Sequence, residues 1–153
     1  MIVLAIFLLD RVTKIYIIKL AELENVVDIY ITSYLNLYLI WNKGIAFGFL
    51  SFDNSTVYNL ITMIIIIIIF IIMLLIYKSR DKTLYFLLFI LGGAIGNLFD
   101  RIYYSSVPDF IDFHINGFHW FIFNVADIFV SIGVLCLILA EIFFNKKSKN
   151  EIS

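Results

Sequence analysis

Long apolar runs dominate the pattern of hydrophobic and polar positions along the chain. Residues 57–77 carry no charge and include the isoleucine run 64–69, residues 83–99 carry none, and residues 118–140 carry only Asp127. Each run can form a helix that crosses the ~30 Å hydrocarbon layer of a bilayer, and a helix satisfies its own backbone polar groups in lipid. We therefore predict membrane-spanning helices at about 57–77, 83–101 and 124–144.

The first segment has a different pattern, because residues 1–9 are apolar and four charges follow, at Asp10, Arg11, Lys14 and Lys19. A cleavable signal peptide carries its positive charges before the apolar stretch, which excludes that interpretation. We expect a first spanning helix at about 1–20 whose cytoplasmic end is missing or begins upstream of Met1.

Composition narrows the class of protein. Of 153 residues, 63% are hydrophobic and 15% charged, and the mean hydropathy of +1.02 excludes an ordinary soluble domain. A formal net charge of −1 provides no footprint for nucleic acid, and the single cysteine, Cys136, excludes a disulfide framework. With no linker or repeat along the chain, we expect one integral-membrane domain over 1–153.

The basic residues predict the orientation in the membrane, because short cytoplasmic loops retain Lys and Arg. Outer segments at about 21–56 and 102–123 contain one lysine, Lys43. The loop and the tail that we assign to the cytoplasm carry the clustered basic residues Lys78, Arg80, Lys82, Lys146, Lys147 and Lys149. Four helices with both termini cytoplasmic satisfy these assignments.

The outer segments contain signals for strands. Residues 26–41 are rich in valine, isoleucine, tyrosine and threonine with partial alternation, which favours short strands lying on the membrane surface. Asn116 and Gly117 form a good type I′ hairpin turn, with the aromatic residues Phe118, Trp120 and Phe121 close by. The predicted fold is an all-α membrane protein of four helices with a small extracytoplasmic β-rich element.

Polar residues recur at the outer ends of the helices, and each has a structural alternative to a functional role. Asp10 and Lys14 share a helix face and can simply form an ion pair. Asn42 and Gly44 suit a tight backbone near a ligand, or only a turn. The glycines Gly92, Gly93 and Gly96 favour close helix packing.

Asn97 and Arg101 also share a helix face. Arg101 can complement the helix dipole, or hold neighbouring carboxylates or an anionic headgroup.

Carboxylates are the available acid and base. Asn124 and Asp127 have the spacing of a capping box, and Asp109 and Asp112 can be solvated loop residues. His114 and His119 lack the helical spacing of a zinc protease, so we expect no metal site, and no serine lies in a nucleophile elbow. Without a nucleophile elbow or a metal-ligand pattern, the sequence disfavours covalent catalysis and suggests no cofactor.

Five blocks of residues, in this order, resemble the lipoprotein signal peptidases, also called type II signal peptidases, over nearly the whole chain. The blocks are Asp10, Thr13 and Lys14; Asn42, Gly44, Ala46, Phe47 and Gly48; Gly92, Gly93, Ala94, Gly96, Asn97, Asp100 and Arg101; Val107, Asp109 and Phe110; and Phe123, Asn124, Ala126 and Asp127. Departures from the family pattern are the short start before Asp10 and Pro108, where the family often has an aliphatic residue.

The resemblance implies a bacterial aspartic endopeptidase of the cytoplasmic membrane, with its active site at the outer face. It would cleave signal peptides from diacylglyceryl-modified prolipoproteins on the N-terminal side of the lipidated cysteine. Its catalytic pair maps onto Asp109 and Asp127. The positions that line or support the site map onto Asp10, Lys14, Asn42, Gly44, Asn97, Arg101 and Asn124.

We expect a monomer whose partners are prolipoprotein substrates and membrane lipid. The alternatives are a small ion or proton carrier with intramembrane aspartates and a purely structural subunit. A relay needs polar groups throughout the bilayer depth, whereas the inner halves of the third and fourth helices are almost wholly apolar.

Overall fold

The computed structural model describes residues 1–24, 27–44, 55–116 and 118–150. Within these ranges the chain forms four long helices and four short strands. The helices are α1 (Ile2–Glu24), α2 (Ser55–Lys78), α3 (Thr83–Tyr104) and α4 (Val125–Asn150), and the strands are β1 (Asp28–Thr32), β2 (Leu35–Asn42), β3 (Val107–Ile115) and β4 (Phe118–Phe123).

Three described helices are long and apolar enough to cross a membrane. They span Thr56–Lys78, Thr83–Tyr104 and Val125–Phe143, with mean hydropathies of 3.4, 1.6 and 2.4. Most of the α2 surface is exposed apolar side chain, as expected of a helix that faces lipid. The helix α1 is not among the three, because it carries the charged residues Asp10, Arg11, Lys14 and Lys19.

The helix α3 lies at the centre and packs against α1, α2 and α4. Isoleucines 69 and 72 of α2 are buried with Leu87, Ile90 and Leu91 of α3. Gly92 and Gly93 allow the close approaches on the other sides: a Cβ on Gly92 would lie 2.9 Å from Ile6 Cβ, and one on Gly93 would lie 2.4 Å from the Ala126 carbonyl oxygen. The predicted packing role of these glycines is confirmed.

The strands form one antiparallel sheet in the order β1-β2-β3-β4. This confirms the strands expected between residues 26 and 41, of which residue 26 lies outside the described ranges. The β3–β4 pairing of Ile115 with Phe118 confirms the expected hairpin. Asn116 has the positive φ of 51° that a type I′ turn requires, while Gly117 lies outside the described residues.

Two features place β3 next to the helices. Ser105, in the left-handed conformation with φ 56°, ends α3 and turns the chain directly into β3. Phe110 of β3 is then buried with Ile17 of α1 and Val27, which anchors the sheet to the end of α1. Val125, the first residue of α4, packs against the same cluster. The end of α3, the start of β3 and the start of α4 therefore lie close together.

Candidate active site

Asp109 is the third residue of β3 and is 2% exposed. Its Oδ2 accepts a hydrogen bond of 2.8 Å from Asn42 Nδ2, at the end of β2. Its Oδ1 accepts one of 2.6 Å from Asn124 Nδ2, in the residue before α4. Both carboxylate oxygens are thus held by amides from different elements of the fold.

Asp127 lies in the first turn of α4. Its Oδ2 accepts a 3.2 Å hydrogen bond from the Asn124 backbone amide, and Asn124 Oδ1 accepts one of 3.0 Å from the Asp127 backbone amide. This reciprocal pattern is the predicted capping box. The remaining oxygen, Oδ1, accepts a hydrogen bond of 2.8 Å from Asn97 Nδ2 of α3. Asn124 therefore contacts both aspartates while it caps the helix.

Burial raises the pKa of Asp109 from 3.8 to about 7, and the nearby charge of Asp127 adds to this effect. The amide donors Asn42 and Asn124 and the charge of Lys14 act in the opposite direction, because they stabilise the ionised carboxylate. Burial outweighs them, so Asp109 exchanges its proton near neutral pH.

The predicted pair of Asp10 and Lys14 is present, with 3.0 Å between Lys14 Nζ and Asp10 Oδ1, and both side chains are fully buried. It is more than an isolated ion pair. Lys14 Nζ also donates to Asn97 Oδ1 at 2.9 Å and to Asp100 Oδ2 at 2.6 Å. Asp10 Oδ1 accepts a 3.0 Å hydrogen bond from the Ala126 amide at the start of α4. Lys14 thus holds the side-chain amide of Asn97, which in turn donates to Asp127.

Two further members of this network, Arg11 and Asp100, were not predicted as site residues. Arg11 donates to both oxygens of Asp100 and, at 2.7 Å, to Asp10 Oδ2. Two buried cations therefore face two buried carboxylates. Helical spacing did not reveal Arg11, since it follows Asp10 directly and lies off the face that Asp10 and Lys14 share.

Arg101 has a different partner from the carboxylate or headgroup considered for it. Its guanidinium donates to the Gly44 carbonyl oxygen and lies 5.5 Å from the centre of the Tyr58 ring. Gly44 is held in turn by a 2.7 Å hydrogen bond from its amide to Asn42 Oδ1. Within the described residues, the Nε and Nη1 atoms of Arg101 are buried without a hydrogen-bond partner.

These hydrogen bonds and ion pairs connect all nine residues that were predicted for the site. One alternative interpretation is wrong: Asp109 and Asp112 are not solvated loop residues, because both lie in β3 and are 2% and 1% exposed. The motif residues Ala46, Phe47 and Gly48 lie outside the described residues.

A cavity of about 200 Å³ opens beside the aspartates. Asp109, Asp127, Asn42, Asn97 and Arg101 form its polar end. Its body is apolar and is lined by side chains of α2, α3 and α4, among them Ile65, Ile69, Ile72, Ile90 and Val130. The arrangement places two carboxylates at the head of an apolar groove between helices.

Comparison with known proteins identifies the family. The model of the Peptidase_A8 family, described as signal peptidase (SPase) II, matches residues 2–143. The chain belongs to the signal peptidase II family. This is a family of aspartic proteases, so the predicted family and enzyme class are both confirmed.

The relatives share most of their length with this chain. A lipoprotein signal peptidase of Pelagibacter ubique (strain HTCC1062) is 60% identical over 150 residues, which cover 98% of this chain and 90% of that protein. Another, of Janthinobacterium sp. (strain Marseille), is 39% identical and covers 88% and 82%. A third, of Anaplasma phagocytophilum (strain HZ), is 36% identical and covers 88% and 85%.

Two solved structures described as a bacterial membrane enzyme have the same fold. They superpose with TM-scores of 0.72 and 0.67 at 30% identity, and cover 97% and 91% of this chain and 88% of their own. Together with the apolar helices, they indicate a bacterial membrane protein. The alternative of an ion or proton carrier gains no support from these relatives.

Proposed function

We propose that Asp109 and Asp127 are the catalytic pair of a membrane aspartic endopeptidase. It cleaves signal peptides from diacylglyceryl-modified prolipoproteins on the N-terminal side of the lipidated cysteine. Membership in the signal peptidase II family supports the activity. The observation that carries the choice of residues is that Asp109 and Asp127 bind a common asparagine, Asn124, and line the same cavity.

The pair works with one shared proton. Two neighbouring buried carboxylates do not both ionise at low cost, and the pKa of Asp109, raised to about 7, keeps a proton available at neutral pH. The ionised member takes a proton from water, which attacks the scissile carbonyl. The protonated member donates a hydrogen bond to the developing oxyanion and later helps to protonate the leaving amine. The shared proton belongs to the pair and not to one aspartate, since coupled groups titrate as a pair.

The asparagines act as positioning residues. Asn42 and Asn124 hold the two oxygens of Asp109, and Asn97 holds Oδ1 of Asp127. Each leaves its carboxylate with lone pairs for water and substrate. Lys14 Nζ holds Asn97 through its Oδ1, the atom that does not contact Asp127. Both acids are therefore oriented before substrate arrives.

The cavity fits the amphiphilic substrate. Its apolar body, lined by isoleucines of α2, accommodates the apolar part of a signal peptide or an acyl chain. The Nε and Nη1 donors of Arg101, which have no partner among the described residues, lie at the polar end and suit backbone carbonyls or ester oxygens next to the scissile bond. The sheet would cover the substrate from the outer side. Deleting residues 26–39 without loss of substrate affinity would contradict this role of the strands.

We infer that α1 is the fourth membrane-spanning helix. The charged residues Asp10, Arg11 and Lys14 are buried against the other helices rather than exposed to lipid. Its outer surface is apolar and includes Leu4, Leu8, Leu9, Val12 and Ile15. At 1.5 Å per residue, a 23-residue helix is about 34 Å long, sufficient to cross the bilayer.

The positions of the site and of the basic connection support the proposed orientation. The sheet and the aspartates lie at one end of α3, and the basic connection 79–82 lies at the other. With that connection in the cytoplasm, the site lies at the outer face of the cytoplasmic membrane and both termini are cytoplasmic. We propose a single domain that acts as a monomer, because one chain supplies both aspartates and the three asparagines that hold them.

Cleavage of a diacylglyceryl-modified prolipoprotein by purified protein in detergent tests the proposal. The variants are Asp109→Asn and Asp127→Asn, and Asp28→Asn on β1 is the matched control, since it removes an exposed carboxylate of the same sheet. We expect the parent and the control to cleave before the lipidated cysteine. Each site variant should lose about 10³-fold or more in rate, because removing one member disables the pair.

Each deviation from this result has a distinct meaning. A folded parent that never cleaves contradicts the proposed function. If the parent cleaves and one site variant keeps near-parent activity, the assignment of the pair is wrong while the family function stands. Unaltered thermal unfolding of the variants in detergent separates loss of chemistry from loss of fold.

A further inference from the structure

The β3–β4 hairpin brings both histidines of the chain next to a buried carboxylate. His114 lies directly opposite His119 in the register, and Asp112 precedes His114 by two residues on the same strand. Each of the three side chains offers a ligand atom, and these atoms lie within 4.8 Å of one another. A zinc protease brings its histidines together by helical spacing, whereas His114 and His119 lie on a hairpin, where cross-strand pairing makes residues five apart direct neighbours.

The distances are close to those around a shared ion. His119 Nδ1 lies 2.8 Å and His114 Nδ1 lies 3.6 Å from the same oxygen, Asp112 Oδ2. Ligands of a tetrahedral ion with bonds of about 2.0–2.1 Å are about 3.3 Å apart. The His119 side chain is 58% exposed, so its rotation can close the widest separation without moving the strands.

Buried polar atoms converge here without partners. Asp112 is 1% exposed, yet among the described residues its Oδ1 and the Nδ1 of His114 accept or donate no hydrogen bond. Asn36 on β2, which pairs with Asp112 on β3, likewise has a buried Oδ1 with no partner in the described parts of the chain. Buried polar groups are nearly always satisfied, so an unpaired acceptor on a buried acid needs an explanation.

We propose that Asp112, His114 and His119 bind a divalent transition-metal ion of the zinc type. Two imidazoles and a carboxylate suit such an ion, whereas Mg²⁺ and Ca²⁺ prefer oxygen ligands only. The ion satisfies the lone pairs of the buried acid and links β3 to β4. The remaining coordination position is open to water or to Asn36.

This centre is separate from the catalytic pair. Asp112 and Asp109 are three positions apart on β3, so their side chains leave the strand on opposite faces. Asp109 binds Asn42 and Asn124, while Asp112 contacts the histidines. The ion therefore stabilises the hairpin and takes no part in peptide hydrolysis.

Metal binding is measured on the whole protein, without a polyhistidine tag, in detergent. Because the chain has two histidines and both belong to this cluster, the background is low. After treatment with EDTA and removal of the chelator, the protein is titrated with Zn²⁺ against a chromophoric competitor, and with Mg²⁺ in parallel. We expect one Zn²⁺ per chain with a micromolar or lower Kd, a rise in Tm with Zn²⁺, and no rise with Mg²⁺.

Variants test the ligands. His119→Gln and Asp112→Asn should each weaken Zn²⁺ binding about tenfold or more. The glutamine amide of His119→Gln can still donate to Asp112 Oδ2, so the metal-free fold keeps a hydrogen bond to this buried acid. Asp28→Asn, which removes an exposed charge from the same sheet, should bind Zn²⁺ like the parent. Equal affinity of His119→Gln and the parent would show adventitious binding and overturn the proposal. Absence of stoichiometric binding by the parent would also overturn it, whether or not any variant folds.

Discussion

Individual residues in this protein serve the fold and the site at once. Asn124 shows this most clearly: its Oδ1 accepts the Asp127 amide as a helix cap, while its Nδ2 donates to Asp109. The two residues of the capping box, Asn124 and Asp127, are therefore also residues of the family motif. The amide provides its donor and its acceptor on two separate atoms, whereas an ionised aspartate has no donor and a serine has both functions on one oxygen.

The pKa of Asp109 predicts how cleavage depends on pH. Burial and the charge of Asp127 raise this pKa to about 7, so above pH 7 the pair loses the one proton that it needs. We expect kcat to fall about tenfold per pH unit on the alkaline side. Removing the Asn42 donor destabilises ionised Asp109, so Asn42→Ala should move this fall to higher pH.

The measurement is the pH profile of kcat for the parent, Asn42→Ala and Asn59→Ala. Asn59 is an exposed asparagine on α2, so its replacement should leave the position of the alkaline limb unchanged. A limb that stays in place in Asn42→Ala, or that moves to lower pH, would contradict the role assigned to Asp109.

Two lysines of α1 provide a matched test of the buried network. Lys14 is fully buried between Asp10 and Asp100, whereas Lys19 is exposed. Lys14→Met leaves Arg11 alone against two buried carboxylates and should cost about 3–5 kcal/mol of unfolding free energy. Lys19→Met should change it by less than about 0.5 kcal/mol. Thermal unfolding in detergent compares the two, and an equal loss in both would refute the structural role of Lys14.

At the scale of elements, the central position of α3 depends on small residues. A methyl group on Gly93 would lie 2.4 Å from the Ala126 carbonyl oxygen, and Ala126 is in the same turn of α4 as Asp127. A methyl group on Gly92 would meet the Ile6 side chain at 2.9 Å. Both contacts involve atoms that move only with their helices, since a Cβ is fixed to its backbone, but the approach at Gly93 is 0.5 Å closer and lies beside Asp127.

Gly93→Ala should therefore be more harmful than Gly92→Ala. We expect Gly93→Ala to displace α4 from α3, separate Asp127 from Asn97 and lower kcat together with Tm. Gly92→Ala should lower Tm by a smaller amount and retain most of the activity. Parallel Tm and cleavage assays decide the order, and a Gly92→Ala variant that is the weaker in both assays would reverse the argument.

The same elements explain which predictions from sequence were possible. Hydrophobic run length located α2, α3 and the apolar part of α4, because lipid leaves the backbone no alternative to helix. The burial of Asp109 and Asp112 was not predictable, since it depends on β3 pairing with β2 and β4 on either side. Arg11 was missed for a similar reason: its partner Asp100 is 89 residues away in sequence.

The whole molecule resolves an apparent conflict in α1. A helix with several charges is a poor candidate for a membrane span by composition, yet Asp10, Arg11 and Lys14 are buried within the protein. The charges neutralise one another against α3, and the surface left for lipid is apolar. The number of charged residues in a helix does not show which face they lie on, so it underestimates a span whose polar face is fully used in packing.

Single cysteines can test the resulting topology in intact cells. In a Cys136→Ser background, Asp28→Cys on β1 and Asp81→Cys in the connection between α2 and α3 place exposed thiols at opposite ends of the helices. We expect a membrane-impermeant maleimide to label Asp28→Cys in intact cells and Asp81→Cys only after permeabilisation. A cysteine added before Met1 should behave like Asp81→Cys, because a spanning α1 returns the chain to the cytoplasmic side. Labelling of that N-terminal cysteine in intact cells would mean that α1 does not cross the bilayer.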